Sequence, residues 1–256
     1  MTSSHLKFAA FQNSALAHAR VDTLFISAMP EEMAPMIEML SDREFAITSV
    51  DSPVGSVYFA RKDGGSHLAS CVTGIGMVDT AQALSLLIAH LDPRAVISIG
   101  SAGGLARDSR VGQIVVGTHY VNGGADATVF EYLPGQVPQH PALYAAHAAL
   151  FEAARQAAND PQFSDITRFG HVLSSDSFIT ERNVGNYRSV FPDAVSTDME
   201  STSAAQVCAT WGVPFISCRA ISDLCGDPDD QSVSFHAELS TVAQTSARFA
   251  LACAGL

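Results

Sequence analysis

Charged side chains are scarce in this chain of 256 residues, at 16%, and positive ones scarcer still: 14 Lys and Arg stand against 26 Asp and Glu, a formal net charge of −12. No basic stripe is present, which excludes a protein that grips nucleic acid through its phosphates. No apolar run approaches the ~20 residues needed to cross a bilayer, so a membrane role is not expected. The first 21 residues contain no acid, yet their longest apolar run, FAAF, is too short for the core of a signal peptide. Residues 1–20 read instead as a floppy or helical extension. The five cysteines, Cys71, Cys208, Cys218, Cys225 and Cys253, include no C-x-x-C pair and sit mostly among apolar neighbours. That usage suits reduced, buried thiols in a cytoplasmic protein. The nine histidines include no H-x-x-x-H spacing, so no metal is expected.

What is abundant is apolar surface, 47% of the residues, enough for one sizeable core. VDTLFISA (21–28) reads as a buried first strand, and Pro30 suits the first turn of a helix with Glu31 and Glu32 at its positive end. AITSV, SVYFAR and HLASCV, separated by SPVG and KDGG, read as a meander with hairpin turns. MVDTAQALSLLIAHL has helical spacing, and DPRAVISIGSAGGL gives a strand running into a glycine-rich turn. IVVGTHYV is a strand, and NGGADATVFEYLPGQVP a long loop. ALYAAHAALFEAARQAA has helical spacing and is followed by FGHVLSSDSFI and TDMES; PFISCRAISD then predicts a last core strand and HAELSTVAQTSARFALACAG a closing amphipathic helix. Strands alternating with helices predict an α/β fold, with a central twisted mixed sheet flanked by helices in a single domain over 21–256. Ligands of such sheets gather where strands end.

Five strand ends collect unusual residues: Glu31 and Glu32; Thr73, Gly74 and Gly76; Ser101, Gly103 and Gly104; Asp198 to Glu200; and Arg219, Ser222 and Asp223. Neither TGIG nor GSAGGL carries the Lys-Ser or Lys-Thr of a P-loop or the full G-x-G-x-x-G spacing, so nucleotide phosphates are not implied. On a regular strand, residues 219, 221 and 223 would point the same way. A buried Arg219–Asp223 ion pair, a strand-end cap through Ser222 and a functional acid are all consistent with that stretch. Asp198 and Glu200 pose a similar choice, because acids beside a helix start stabilise it by about 0.3–1 kcal/mol each when exposed.

AMPEEM, TGIGMVDTA, GSAGGL, SSDSFI, DMES and RAISD, in that order, resemble the 5′-methylthioadenosine/S-adenosylhomocysteine nucleosidases of the nucleoside phosphorylase superfamily. The resemblance runs from about Val21 to the C-terminus. It implies a nucleoside phosphorylase-like fold and hydrolysis of an N-glycosidic bond, with no cofactor and a homodimer as the working form. By this resemblance Glu32 is the general base and Arg219 helps place the attacking water. Asp223 is the acid that protonates N7 of the leaving adenine, beside Ser222. Glu200 holds the ribose hydroxyls, with Met199 against the sugar and Thr73 near the ribose and water. Phe178 and Ile179 meet the adenine, and Phe235 the sugar and its 5′ substituent. Phe130 and Tyr132 reach the alkylthio pocket of a neighbouring subunit. Asp198 stands where the family more usually has glutamate, and NGGAD replaces a histidine-containing version of the loop. Only the resemblance separates Glu32 from Glu31.

A purine nucleoside phosphorylase needs a cationic phosphate cradle, and here AMPEEM puts carboxylates at the position of its arginine. The same motifs would also suit a hydrolase of futalosine-type nucleosides or a catalytically silent nucleoside-binding protein. A silent binding protein has no need of both a base and an acid.

Overall fold

The computed structural model describes residues 7, 9, 11, 12, 14, 20–227 and 231–256. Ten strands form one mixed sheet: β1 (Thr23–Ser27), β2 (Ala46–Ser52), β3 (Gly55–Arg61), β4 (His67–Val72), β5 (Val96–Gly104), β6 (Ile114–Asn122), β7 (Tyr144–Ala145), β8 (Thr167–Ser174), β9 (Ala194–Asp198) and β10 (Phe215–Leu224). Six helices follow residue 20 among the described residues: α1 (Pro30–Asp42), α2 (Met77–Leu91), α3 (Ala148–Ala157), α4 (Val184–Val190), α5 (Ser201–Trp211) and α6 (Gln231–Cys253).

The strand order is β10-β6-β8-β9-β5-β1-β4-β3-β2, with β7 paired to β6. A further parallel pairing of β5 with β10 closes part of the sheet on itself. The closure turns β10-β6-β8-β9-β5 into a ring, while β1 to β4 extend from it as an open sheet. Closing a sheet this way removes an edge that would otherwise present unpaired backbone groups.

The two faces of the sheet are read off β1. Leu24 and Ile26 pack with Leu84 and Leu87 of α2 and Ala204 and Cys208 of α5, whereas Phe25 packs with Met33 and Met36 of α1 and Phe249 and Leu251 of α6. Successive side chains of a strand alternate faces, so a run apolar at every position is covered on both sides. Each such fully buried side chain is worth about 1.5–3 kcal/mol over leaving it in water. A smaller cluster, Leu105, Val121, Leu173, Ile179, Val184, Ala194 and Cys225, lies under α4.

Most of the predicted elements stand where their spacing put them. One difference lies at ALYAAHAALFEAARQAA: Tyr144 and Ala145 pair antiparallel with β6, and the helix begins only at Ala148. The ladder bond from the Ala146 amide to the Thr118 carbonyl keeps this stretch extended. The segment after β6 is a long loop holding a short 3-10 turn at Thr128–Phe130. Of the expected extension, Lys7, Ala9, Phe11 and Gln12 are helical and Phe11 is buried against the His90 ring; the rest of residues 1–19, Ser14 aside, lies outside the described residues.

Candidate active site

The ends of β1, β5, β9 and β10 and the starts of α1, α5 and α6 surround a cavity of about 370 Å³. Its walls include Glu32, Asp198, Met199, Glu200, Arg219, Ser222 and Asp223, which the sequence scatters between positions 32 and 223 and the closed ring of strands gathers.

Glu32 comes from the first strand end. Pro30 starts α1 and Glu32 is its third residue, so the carboxylate reaches back to the backbone amides of Ala28 (3.0 Å) and Met29 (3.1 Å) through Oε2. Its other oxygen, Oε1, accepts both the amide and the hydroxyl of Ser101, each at 2.7 Å. Gly100, at φ +130°, makes the approach possible: a Cβ there would lie 2.5 Å from Oε1. Glu31 is exposed while Glu32 is 1% exposed, so the packing separates two neighbours that composition leaves equivalent.

Asp198 and Glu200 divide the two roles open to them. Asp198 Oδ1 accepts the Ser174 hydroxyl (2.6 Å) and the amides of Glu200 (3.2 Å) and Ser201 (3.1 Å), while Oδ2 accepts the Ser201 hydroxyl. Standing two residues before Glu200, the N-cap residue, it caps the start of α5 from outside by accepting the Ser201 amide, one of those a helix start leaves without partners. Glu200 turns into the cavity, where Oε1 accepts the Gly76 amide at 2.9 Å and Oε2 lies 3.1 Å from Arg219 Nη1. Gly76, at φ +100°, has no room for a Cβ, which would meet Asp176 Oδ1 at 2.9 Å. Asp176 in turn accepts the Met77 amide at 2.8 Å, joining the start of α2 to the segment after β8.

Arg219 is 3% exposed and lies 3.4 Å from Asp198 as well as 3.1 Å from Glu200; Nη1 also donates to the Ser101 carbonyl at 3.0 Å. Of the readings open for this stretch, the Arg219–Asp223 ion pair is not formed: the guanidinium turns to Asp198 and Glu200. The cause is a register shift between Ile221 and Asp223, where β10 gains Ser222 as an extra residue against β5. Ile221 packs into the core, while Arg219, Ser222 and Asp223 all line the cavity, so the simple alternation of 219, 221 and 223 does not hold. Bulges re-aim side chains in this way.

Freed from the arginine, Asp223 meets only neutral donors: Ser222 Oγ at 2.7 Å on Oδ1 and Gln231 Nε2 at 2.6 Å on Oδ2. Burial raises its pKa above the ordinary carboxylate value, against the pull of these two hydrogen bonds. Burial also raises Glu200, to about 7, with Arg219 opposing and Asp198 adding to the rise. For Arg219, burial works against the charge, but Asp198, Glu200 and Glu32 outweigh it and move its pKa upward.

On the far wall stand Phe178 and Ile179, after β8, and Phe235 on α6. The Phe178 and Phe235 rings meet edge to face, centroids 6.3 Å apart. Phe178 is 48% exposed, unlike an ordinary core phenylalanine, whereas Ile179 is buried. Thr73 does not reach the cavity wall: its hydroxyl bonds to the carbonyls of Ser27 (3.2 Å) and Gly74 (3.1 Å). Phe130 and Tyr132 are also away from it, with Phe130 73% exposed. Sequence reasoning passed over Gln231, Cys225 and His236, which line the cavity, and gave Ser101 no role. Ser101 was within reach, since it stands in GSAGGL; nothing in the local pattern marks Gln231. Among the described residues no group of His, Cys, Asp and Glu is placed to hold a metal ion.

A partly closed mixed sheet with carboxylates and one guanidinium gathered at its strand ends defines a member of the phosphorylase superfamily, whose family model matches residues 22–254. Within that superfamily the chain belongs to the 5′-methylthioadenosine/S-adenosylhomocysteine nucleosidase family. It is 36% identical over 228 residues to the enzyme of that name from Geobacillus thermodenitrificans, covering 88% of this chain and 93% of that one. The nucleosidase structure from Neisseria meningitidis, in complex with methylthio-immucillin-A, superposes with a TM-score of 0.82 at 32% identity, over 91% of this chain and 98% of that one. The futalosine hydrolase of Helicobacter pylori, at 24% identity and a TM-score of 0.83 over 91% and 97% of the two chains, shares the fold.

Proposed function

We propose that the protein hydrolyses the N-glycosidic bond of 5′-methylthioadenosine or S-adenosylhomocysteine, giving adenine and the thioribose product. The observation that carries this reading is that one cavity holds a buried Asp223, ionised less readily than an ordinary aspartate, opposite a buried Glu32 and a Glu200–Arg219 pair. Pairs of titratable groups held in different environments are how a site divides acid from base work.

In this mechanism Asp223 gives its proton to N7 of the adenine as the bond to C1′ breaks, and the leaving base departs neutral. The sugar develops oxocarbenium character, and water adds at C1′ while Glu32 takes its proton. Glu200 accepts the ribose hydroxyls in charge-assisted hydrogen bonds, with Met199 beside the sugar. Arg219 orients the water and keeps Glu200 in place. Phe178 and Ile179 hold the base, Ser222 steadies Asp223, and Phe235 covers the 5′ side. Thr73 acts indirectly, by fixing the turn between Ser27 and Gly74.

Hydrolysis is favoured over phosphorolysis because Arg219 is the one Arg or Lys among the described cavity residues, and Asp198 and Glu200 already neutralise it. Little positive charge is left to cradle a phosphate. A homodimer is part of the proposal: Val129, Phe130 and Leu133, 82%, 73% and 61% exposed on one loop, form an apolar surface suited to a second copy. The described cysteines are all buried free thiols, in keeping with a reducing cytoplasm.

The test is adenine release from 5′-methylthioadenosine, S-adenosylhomocysteine and adenosine, with and without phosphate, followed by chromatography. Phosphate-independent release with free thioribose is expected. A phosphate requirement would move the chain to the phosphorylases, and release only from futalosine-type nucleosides would reassign the substrate.

A further inference from the structure

We propose that Gln231 is a positioning residue for the base end of the cavity: its side-chain amide ties the Asp223 carboxylate to the Ile179 carbonyl, fixing the two acceptors that face an aminopurine. The proposal rests on the nucleosidase reading above and assigns a residue that the reading does not use.

Three contacts define the arrangement. Gln231 Nε2 lies 2.6 Å from Asp223 Oδ2 and 2.9 Å from the Ile179 carbonyl, and Oε1 accepts the Gly226 amide at 3.4 Å. These partners leave no freedom to flip the amide. A carboxylate and a carbonyl accept and a backbone amide donates, so the nitrogen must face Asp223 and Ile179. Both side-chain N–H groups are then spent. Gln231 is 9% exposed and opens α6, so this turn is pinned to β10 and to the segment after β8 at once.

An aminopurine presents N7 and the 6-amino group along one edge. Protonated N7 and the amine are both donors, and they need two acceptors side by side. One nitrogen bonded to both Asp223 Oδ2 and the Ile179 carbonyl holds those acceptors together, and each oxygen keeps a lone pair for the base. After the proton leaves Asp223 for N7, the carboxylate that forms finds Gln231 and Ser222 already donating to its two oxygens. Such donors favour the charged form, so Gln231 lowers the cost of giving the proton up. A 6-oxopurine turns an acceptor toward the Ile179 carbonyl and gains nothing from this spacing.

The other titratable groups lining the same cavity are Cys225 after β10, Arg219 on β10, Asp198 and Glu200 before α5, Glu32 on α1 and His236 on α6. All are retained in the variants that test the idea. Gln231→Met removes the donors at nearly constant shape, and Gln231→Glu keeps the shape while placing a carboxyl against Asp223. The measurements are the pH profile of kcat/KM for 5′-methylthioadenosine and calorimetric affinity for adenine and hypoxanthine.

With Gln231→Met, the alkaline limb should move to higher pH and adenine affinity should fall roughly three- to tenfold, the range of a lost hydrogen bond. Hypoxanthine affinity should change less. Gln231→Glu should move the limb upward too and carries the test if the Met variant does not fold. An unmoved limb with adenine affinity intact, or a general loss of activity with the limb in place, would overturn the proposal. If the wild type releases no adenine from any nucleoside, the nucleosidase reading fails instead. The calorimetric arm still tests Gln231, and equal adenine affinity in wild type and variant would count against it.

Discussion

Arg219 lies 3.1 Å from Glu200 in a cavity where both are almost fully buried, and the pair is held from behind by Asp198 at 3.4 Å. Two carboxylates thus compete for one guanidinium. Asp198 wins the capping amides and two serine hydroxyls, while Glu200 keeps the Gly76 amide and an open face to the cavity. Burial raises the pKa of Glu200 to about 7, against the pull of Arg219, and the neighbouring charge of Asp198 adds to the rise.

A carboxyl whose folded pKa is raised from 4.5 to about 7 contributes stability that is fully present below about 4.5 and lost as pH rises through about 7. Thermal melting of the ligand-free protein between pH 5 and 8 should show this loss, and Glu200→Gln should flatten it. The same substitution should lower kcat/KM on the order of ten- to a hundredfold by weakening ribose binding. A melting curve with the same pH dependence in the variant would assign the loss to another group.

Asp223→Asn keeps the shape and the contact with Ser222 but cannot carry the proton. Turnover of 5′-methylthioadenosine should drop by roughly 10²–10⁴, the usual worth of a positioned acid. Binding of the unreacted nucleoside, read by calorimetry, should change little. Near-normal turnover would remove Asp223 from the mechanism.

Asp198→Ala strips the cap from α5 and leaves Arg219 with one fewer counter-charge. Breaking a buried pair from one side typically costs about 3–5 kcal/mol, and urea denaturation should show a loss of that order. Asp198→Asn, which retains a capping oxygen, should cost less. Equal losses in the two variants would assign the whole effect to the negative charge, which both lack, and none of it to the helix cap.

Val129→Asp combined with Phe130→Asp places charge on the exposed loop without touching the cavity wall. Sedimentation should report a monomer for the variant and a dimer for the parent, with activity on 5′-methylthioadenosine reduced. A dimer that survives both charges would place the interface elsewhere.

The sequence carried the alternation of strands and helices well, because each is written in local spacing: TLFIS, with Leu24, Phe25 and Ile26 in an unbroken apolar run, reads as a buried strand, and all five of its residues are buried. The residues of the cavity were legible as strand ends, and the resemblance ordered them. Their partners were not legible. Whether Arg219 turns to Asp223 or to Asp198 depends on one extra residue at Ser222, a shift in register against β5 that leaves no trace in composition. Thr73 kept a hydroxyl at the expected position, yet its direction is fixed by the Ser27 carbonyl on a neighbouring strand. Gln231 sits in DDQSV among polar neighbours, and its significance comes from a fold that returns α6 to the end of β10.

Around one guanidinium the cavity sets four carboxyl groups, Glu32, Asp198, Glu200 and Asp223. Such a pocket is short of cations, and the deficit is built into the empty protein before any ligand arrives. Neutral nucleosides do nothing to relieve it, whereas a molecule bearing positive charge at the sugar ring would. Compounds with a basic nitrogen in place of a ring carbon of the sugar should therefore gain affinity as pH rises through the titration of Glu200, until the ring nitrogen itself loses its proton, while their uncharged counterparts should not.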